Sequence, residues 1–535
     1  MNTLAGTGAL IRLIVRRDRI LMPIWVLFMA VIPLALLSSI KELVPTEAAR
    51  QAYAAESFGN STFVMLYGRV YDAGLGGLTF WRAGFSMLVV GLISLLMVIR
   101  HTRTEEEAGR RELVGSAVVG RHAGLAAALI ATIGANLVLA VLVALGLMGQ
   151  DLPAGGAFAF GLAWAAAGAM FAAVGALVAQ LTEGAGAARG IGVTVAAVAF
   201  VLRAVGDVSG TGADPAWPSW LSPLGWTAQV HAFRDERWWI FALAVAFVAV
   251  LTAVAFVLQS RRDVAAGLLP PRLGPAEASP ALRTPLALAW RLHRGTLLAW
   301  AAGFIALGAI FGGAAQTTQD MLADNPQLLE VFERMGGTSA LSDLFIAATM
   351  SITALIASGY AVQAALRMRT EEAGLRLEPL LATGVGRLTW AASHLVFALL
   401  GPTLVMVAAG LTTGLTYGAS IGDVGGQLPR GLAAALVQLP AVWVLAGLTA
   451  AIFGLLPRLA PAVAWSALGL CLFLGQLGAA LQLSQAALDV SPFTHIPRVP
   501  GGDVSALPLV LLTAIAAALV VFGLAAFRRR DVPVT

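Results

Sequence analysis

Residues 123–149, AGLAAALIATIGANLVLAVLVALGLMG, and residues 154–181, AGGAFAFGLAWAAAGAMFAAVGALVAQL, contain no charged side chain. About 20 mostly apolar residues in an α-helix cross the hydrocarbon of a bilayer with each backbone amide bonded inside its own helix, so both stretches read as membrane spans. Ten further apolar runs accompany them, at 20–40, 78–99, 187–206, 238–258, 295–315, 343–366, 391–418, 429–456, 462–487 and 507–527. The whole chain agrees: its 535 residues are 59% hydrophobic and 12% charged, with a mean hydropathy of +0.83. Soluble chains average about 25% charged residues, so a water-soluble single-core protein is excluded. The expected fold class is an all-α polytopic membrane protein with about twelve transmembrane helices.

The charged residues give orientation. Short loops rich in Arg and Lys stay on the cytoplasmic side, and 24 of the 34 basic residues fall in the N-terminal segment, the C-terminus and the loops after even-numbered runs. Both termini are therefore expected in the cytoplasm, and the net charge of +5 reflects topology rather than a nucleic-acid footprint. The first apolar run is of full length and reads as a retained span rather than a cleavable signal. Lys41 is the sole lysine and stands in Ser39-Ile40-Lys41-Glu42-Leu43, without a glycine run. A phosphate-cradling Walker A loop needs Lys before Ser or Thr in a Gly-rich turn, so the chain is not expected to bind nucleotide itself. Cys471, the sole cysteine, lies in an apolar run and reads as a small residue packed between helices.

The two halves match in order. Arg16-Arg17-Asp18-Arg19 with Trp25 recurs as Arg291-Leu292-His293-Arg294 with Trp300, and Glu106-Glu107-Ala108-Gly109 recurs as Glu371-Glu372-Ala373-Gly374 at an offset of 265. Beyond one inserted residue, Glu112 through Gly120-Arg121 aligns with Glu378 through Gly386-Arg387. Ser222-Pro223 recurs as Ser491-Pro492, and Arg261-Arg262-Asp263 as Arg529-Arg530-Asp531. With six spans per copy, the repeats are parallel rather than inverted. The expected domains are a first six-span repeat at 1–268, a Pro-rich cytoplasmic linker at 269–285 and a second six-span repeat at 286–535.

The most informative segments are the loops after the second and eighth runs. Thr104 is placed to cap a helix with Glu107 closing a capping box three residues on, and Thr370 precedes Glu371 and Glu372, where Ala373 replaces the box glutamate. Gly115 and Pro379 break the element, and each loop reads as one short charged amphipathic helix. Topology alone would preserve arginines but not Glu-Ala-Gly, a later Glu and a closing Gly-Arg in both copies, so a rigid, twice-repeated surface for a symmetric cytoplasmic partner is expected.

These loop motifs, the Arg-rich segment before the first run, and Ser222-Pro223-Leu224-Gly225-Trp226 before the sixth resemble permease subunits of type-two ATP-binding-cassette exporters. The fused twelve-span layout with Arg-Arg-Asp after each sixth span is more closely similar to actinobacterial exporters of polyketide antibiotics, the tetronasin-type permeases. The resemblance covers essentially the whole chain. It implies that the loops hold coupling helices for two copies of a separate cytoplasmic ATPase, on which ATP and Mg would act. It also implies ATPase-coupling roles for Glu106, Glu107, Gly109, Glu112 and Arg121, and for Glu371, Glu372, Gly374, Glu378 and Arg387. Outward export of a hydrophobic or amphipathic small molecule from a bacterial cell membrane follows from the same resemblance.

A proton- or ion-coupled secondary transporter is the rival reading, because parallel six-span halves occur there too. Such carriers place carboxylates in mid-membrane, whereas Asp343 and Asp489 fall at run ends, and Arg82 and Arg203 lie where snorkelling suffices. A metal-dependent membrane enzyme is disfavoured: there is no HExxH helix, and the six histidines, among them His101, His122, His231 and His495, read as scattered in loops. The outer segments 207–237 and 488–506, rich in Trp and Pro, read equally as an interfacial aromatic belt or as re-entrant helices.

Overall fold

The computed structural model describes residues 3–59, 61–115, 118–211, 214–263, 266–269, 276–277, 279–323, 338–477, 484–502 and 505–531. Among these every regular element is a helix, and eleven helices are long and apolar enough to cross a membrane. The protein is an all-α polytopic membrane protein. Packing divides the chain into two compact units, Met1–Gly274 and Pro275–Thr535. Much of the linker expected at 269–285 lies outside the described residues.

In the first unit the spans are Leu21–Leu43, Gly84–His101, Ala123–Met148, Ala154–Leu181, Ala185–Ser209 and Trp239–Ser260. The fourth is the most enclosed, with Phe160, Trp164 and Phe171 almost fully buried. Its glycines explain how it gets so close to its neighbours: a Cβ on Gly161 would strike the Ala140 backbone of the third span, and one on Gly175 the Leu95 backbone of the second. Hydrocarbon supplies no hydrophobic drive between helices, so such close backbone approach is where packing is gained. Asn136 adds a buried polar tie, donating to Ser94 Oγ at 2.9 Å.

In the second unit the corresponding helices are Pro285–Ala323, Thr338–Ala365, Arg387–Ile421, the pair Val424–Leu436 and Leu439–Leu455, Ala460–Leu477, and Ala506–Arg529. Here Gly454 and Gly523 bring the fourth and last spans together backbone to backbone. Cys471 is a buried free thiol in the apolar core of this unit.

Three spans depart from the sequence expectation. The run at 78–99 is two helices, Leu75–Arg82 and Gly84–His101, divided at Ala83; Gly84, just after the break, packs directly on the Tyr67 carbonyl, where no side chain fits. The run at 429–456 is broken at Val437-Gln438, ahead of Pro440 at the start of the next helix, since proline has no N–H to continue the ladder. The run at 462–487 yields a shorter apolar helix, Ala460–Gly475; residues 478–483 lie outside the described residues.

The Arg-rich entry segments also diverge. In the first unit Thr7–Arg17 is a separate helix that lays Leu10, Ile11 and Ile14 on Ala127, Ala128 and Ala131 of the third span. Asp18 ends it, its carboxylate held by His101 Nε2 at 2.7 Å and Arg100 Nη2 at 2.9 Å. In the second unit the aligned segment runs on into the span as one 39-residue helix.

Candidate functional site

The loop after the second span of the first unit is two short helices, Arg103–Glu107 and Arg110–Gly115, rather than one. Between them Gly109 takes φ +69, a left-handed conformation glycine adopts without a side-chain penalty. The expected capping box does not form. Thr104 lies inside the first helix and donates to the Ile99 carbonyl, while Glu107 reaches sideways and accepts from the Ala185 N–H at 3.0 Å. Glu107 thus caps the fifth span and fastens the loop to it.

The centre of the loop is Glu106, whose side chain is 1% exposed. Arg262, two residues beyond the sixth span, grips it in parallel: Nη2 donates to Oε1 and Nη1 to Oε2, each at 2.9 Å. Arg103 Nη1 adds a bond to Oε2 at 2.7 Å, and Arg111 pairs with Oε1. Gln180 of the fourth span accepts from Arg262 Nε at 2.9 Å, and Arg121 donates to the Arg262 carbonyl. The ends of spans two, four and six and the start of span three therefore converge on one carboxylate. Bidentate guanidinium–carboxylate pairing fixes geometry as well as charge. Burial beside Arg262 and Arg103 lowers the Arg111 pKa to about 10, which leaves it charged at neutral pH; the hydrogen bond to Glu105 raises that of Arg110.

The second unit repeats this arrangement. The loop helices are Arg367–Ala373 and Leu377–Ala382. Arg530 grips Glu372, with Nη1 donating to Oε1 at 2.7 Å and Nη2 to Oε2 at 3.0 Å, and Arg387 donates to the Arg530 carbonyl at 2.7 Å. Where the first unit uses Gln180, the second places the Arg530 guanidinium over Phe453 and Phe527, 5.3 Å from each ring centre. Thr370 lies within its helix, donating to the Leu366 carbonyl, so it too is no cap.

Partner by partner, these contacts correct the register. Glu105 pairs with Arg110 as Glu371 pairs with Arg376, and Glu106 with Arg262 as Glu372 with Arg530. The copies therefore correspond without an insertion: Arg103-Thr104-Glu105-Glu106 matches Arg369-Thr370-Glu371-Glu372, and Gly109 matches Leu375. Leu375 indeed carries the left-handed turn at φ +55, whereas Gly374 does not.

Exposure divides the ten sequence-derived residues. Glu106, Glu371 and Glu372 are buried and hold the loops together, while Glu107, Gly109, Glu112, Arg121, Gly374 and Glu378 face outward; Arg387 is half-buried. The exposed tips are Glu107-Ala108-Gly109-Arg110 and Ala373-Gly374-Leu375-Arg376. Arg262, Arg530, Arg103 and Glu105 are central residues that the sequence did not single out. The Arg-Arg-Asp repeat was the available signal for the first two.

Other charged groups are also accounted for. Arg203 does not snorkel: it is buried, 3.4 Å from Asp207, and donates to the Met65 carbonyl at 2.6 Å. Asp207 accepts from Ser219 Oγ at 2.9 Å, and Ser222 Oγ donates to the Ala199 carbonyl at 2.6 Å. These bonds pin two short helices, Trp217–Trp220 and Pro223–Ala228, against the fifth span. Arg82 donates to Tyr53 and lies over the Tyr67 ring. Not all the histidines are in loops: His101 closes the second-span helix, and His293 and His394 face each other at 3.0 Å inside the second unit. Among the described residues no three metal-ligating side chains come together.

A polytopic helical protein whose two units each bind a charged loop to the end of the last span through one buried Glu–Arg pair has the build of a membrane permease. The chain matches the family model described as the C-terminal domain of the multidrug efflux system permease Rv1217c over residues 282–528. It is 45% identical over 530 residues to the multidrug efflux system permease protein Rv1217c of Mycobacterium tuberculosis (strain ATCC 25618 / H37Rv), covering 98% of this chain and 95% of that relative. The chain belongs to this family of efflux permeases.

Proposed function

We propose that the protein is the permease subunit of an ATP-driven exporter of hydrophobic or amphipathic small molecules, working by alternating access with two copies of a separate cytoplasmic ATP-binding-cassette ATPase. The observation that carries the reading is the duplicated lock, Arg262 on Glu106 and Arg530 on Glu372. A push on either exposed tip passes through that lock to the ends of several spans at once. With no Walker A loop in the chain, energy comes from outside it, and two rigid charged tips suit two copies of one partner. The relative's role in multidrug efflux supports drug-like cargo, and the arginine distribution supports cytoplasmic loops and termini.

The exposed glutamates Glu112 and Glu378 provide the test, because neither contributes to the buried lock. Reversing both, Glu112→Arg with Glu378→Arg, is expected to abolish drug resistance and cargo-stimulated ATP hydrolysis while membrane insertion and thermal stability are kept. Unchanged resistance overturns the coupling role. A second reading, an ion-coupled carrier, draws on Asp207, a buried carboxylate in a span; it requires transport that collapses with the proton gradient and ignores ATP depletion.

A further inference from the structure

The first unit contains a cavity of about 550 Å³ that the coupling reading does not use. It opens between the entry helix Thr7–Arg17, the end of the second span and the start of the third. One wall is apolar, made by Leu10, Leu13 and Ile14 of the entry helix. Arg17 continues that same helix, and Arg110, Arg111 and Arg121 come from the loop and the start of the third span, against only two lining carboxylates, Glu105 and Glu112. Glu105 is already engaged by Arg17 and by Arg110, the latter at 2.7 Å. Nearby Asp18 is neutralised by Arg100 and hydrogen-bonded to His101. With Arg111 paired to Glu106, the four guanidiniums face three carboxylates, so the cavity keeps an excess of one positive charge beside an apolar wall.

Its place in the fold decides which occupant suits it. The entry helix packs on Ala127, Ala128 and Ala131, in the first turns of the third span, and the second span ends at His101. Span ends lie at the bilayer interface, so a pocket at this level is expected to turn its apolar wall to the acyl chains and its guanidinium rim to the headgroups. A volume of this size falls in the usual range for small-molecule sites, and basic pockets among spanning helices take anionic lipid headgroups.

We propose that this cavity is a binding site for one anionic phospholipid, its phosphate held by Arg17 and Arg110 and its first acyl carbons lying on Leu10, Leu13 and Ile14. The site belongs to the first unit alone in its full form. The positions aligned with Arg17 and Arg111 are Leu292 and Leu377, so the second copy lacks two of the four cations.

Native mass spectrometry of the full chain in detergent tests this directly, titrating dioleoyl phosphatidylglycerol, dioleoyl phosphatidylcholine or inorganic phosphate. The expected result is one phosphatidylglycerol per chain, bound at least about tenfold more tightly than phosphatidylcholine, since each arginine near a headgroup contributes about 1 kcal/mol. Arg17→Gln with Arg110→Gln loses the preference, whereas Arg17→Lys with Arg110→Lys keeps it. Leu13→Glu, at a half-exposed wall position, also weakens phosphatidylglycerol without disturbing the core. Equal binding of the two lipids overturns the proposal, as does a preference that survives the glutamine variant. Arginine-dependent binding of inorganic phosphate, with both lipids bound equally, would make the pocket a phosphate site and likewise overturn it.

Discussion

The charged loop of the first unit and that of the second share one bond pattern and differ in nearly everything around it. Glu106 is surrounded by Arg103, Arg111 and Arg262, with Gln180 behind. Glu372 is paired with Arg530, which rests on two phenylalanine rings. The first loop turns on Gly109 and the second on Leu375, and Glu107, which caps the fifth span, corresponds to Ala373. What persists is the mechanical connection between the last span and the loop. The surroundings have exchanged polar support for aromatic support, so the first loop depends on electrostatics more than the second does.

Breaking the first lock is the severest test of that contrast. Glu106→Gln leaves the buried Arg103 and Arg262 and the half-buried Arg111 without their counter-charge, and losing one partner of a buried ion pair costs about 3–5 kcal/mol. A large fall in thermal unfolding temperature in detergent, or failure to accumulate in the membrane, is expected. Glu372→Gln strands one guanidinium that retains its cation–π contacts, so a smaller loss of about 1–3 kcal/mol is expected. Equal losses would erase the distinction. Next, Glu107→Ala removes the acceptor for the Ala185 N–H and should cost about 1 kcal/mol, the scale of a helix cap, whereas the aligned Ala373→Glu should not cost stability. The smallest effect runs the other way: Leu375→Gly relieves a left-handed leucine and should stabilise the second loop by up to about 1 kcal/mol, while Gly109→Leu should destabilise the first. Hydrogen exchange across the two loops reads these last changes locally.

The spans were legible because apolar length is a local property of the chain, and eleven of the twelve expected runs coincide with candidate spans, the one at 429–456 as a broken pair of helices. Their internal breaks were not, since at Ala83 the run is apolar on both sides of the break and the close approach of Gly84 to the Tyr67 carbonyl is set by packing. The site was half legible. Its residue types and its duplication stood out, but a capping box was expected where Thr104 and Glu107 in fact serve other partners. The bond that matters joins residues 156 positions apart, a separation at which neither periodicity nor spacing carries information. The register slipped for the same reason: Glu-Ala-Gly looks alike in both copies, yet only the arginine partners reveal which glutamate is central. The pairing of Arg203 with Asp207 was not legible because residues from 207 on read as an outer segment, whereas the helix continues to Ser209 and buries both.

The central claim is that two rigid loops couple this permease to a separate ATPase. The most direct measurement is to purify the tagged full chain from its native host in mild detergent and to identify and count, by quantitative mass spectrometry, the proteins held in stoichiometric amount. A soluble ATP-binding-cassette ATPase at about two copies per chain is the predicted result. An isolated chain, whose drug transport in vesicles needs no ATP and collapses with the proton gradient, would contradict it.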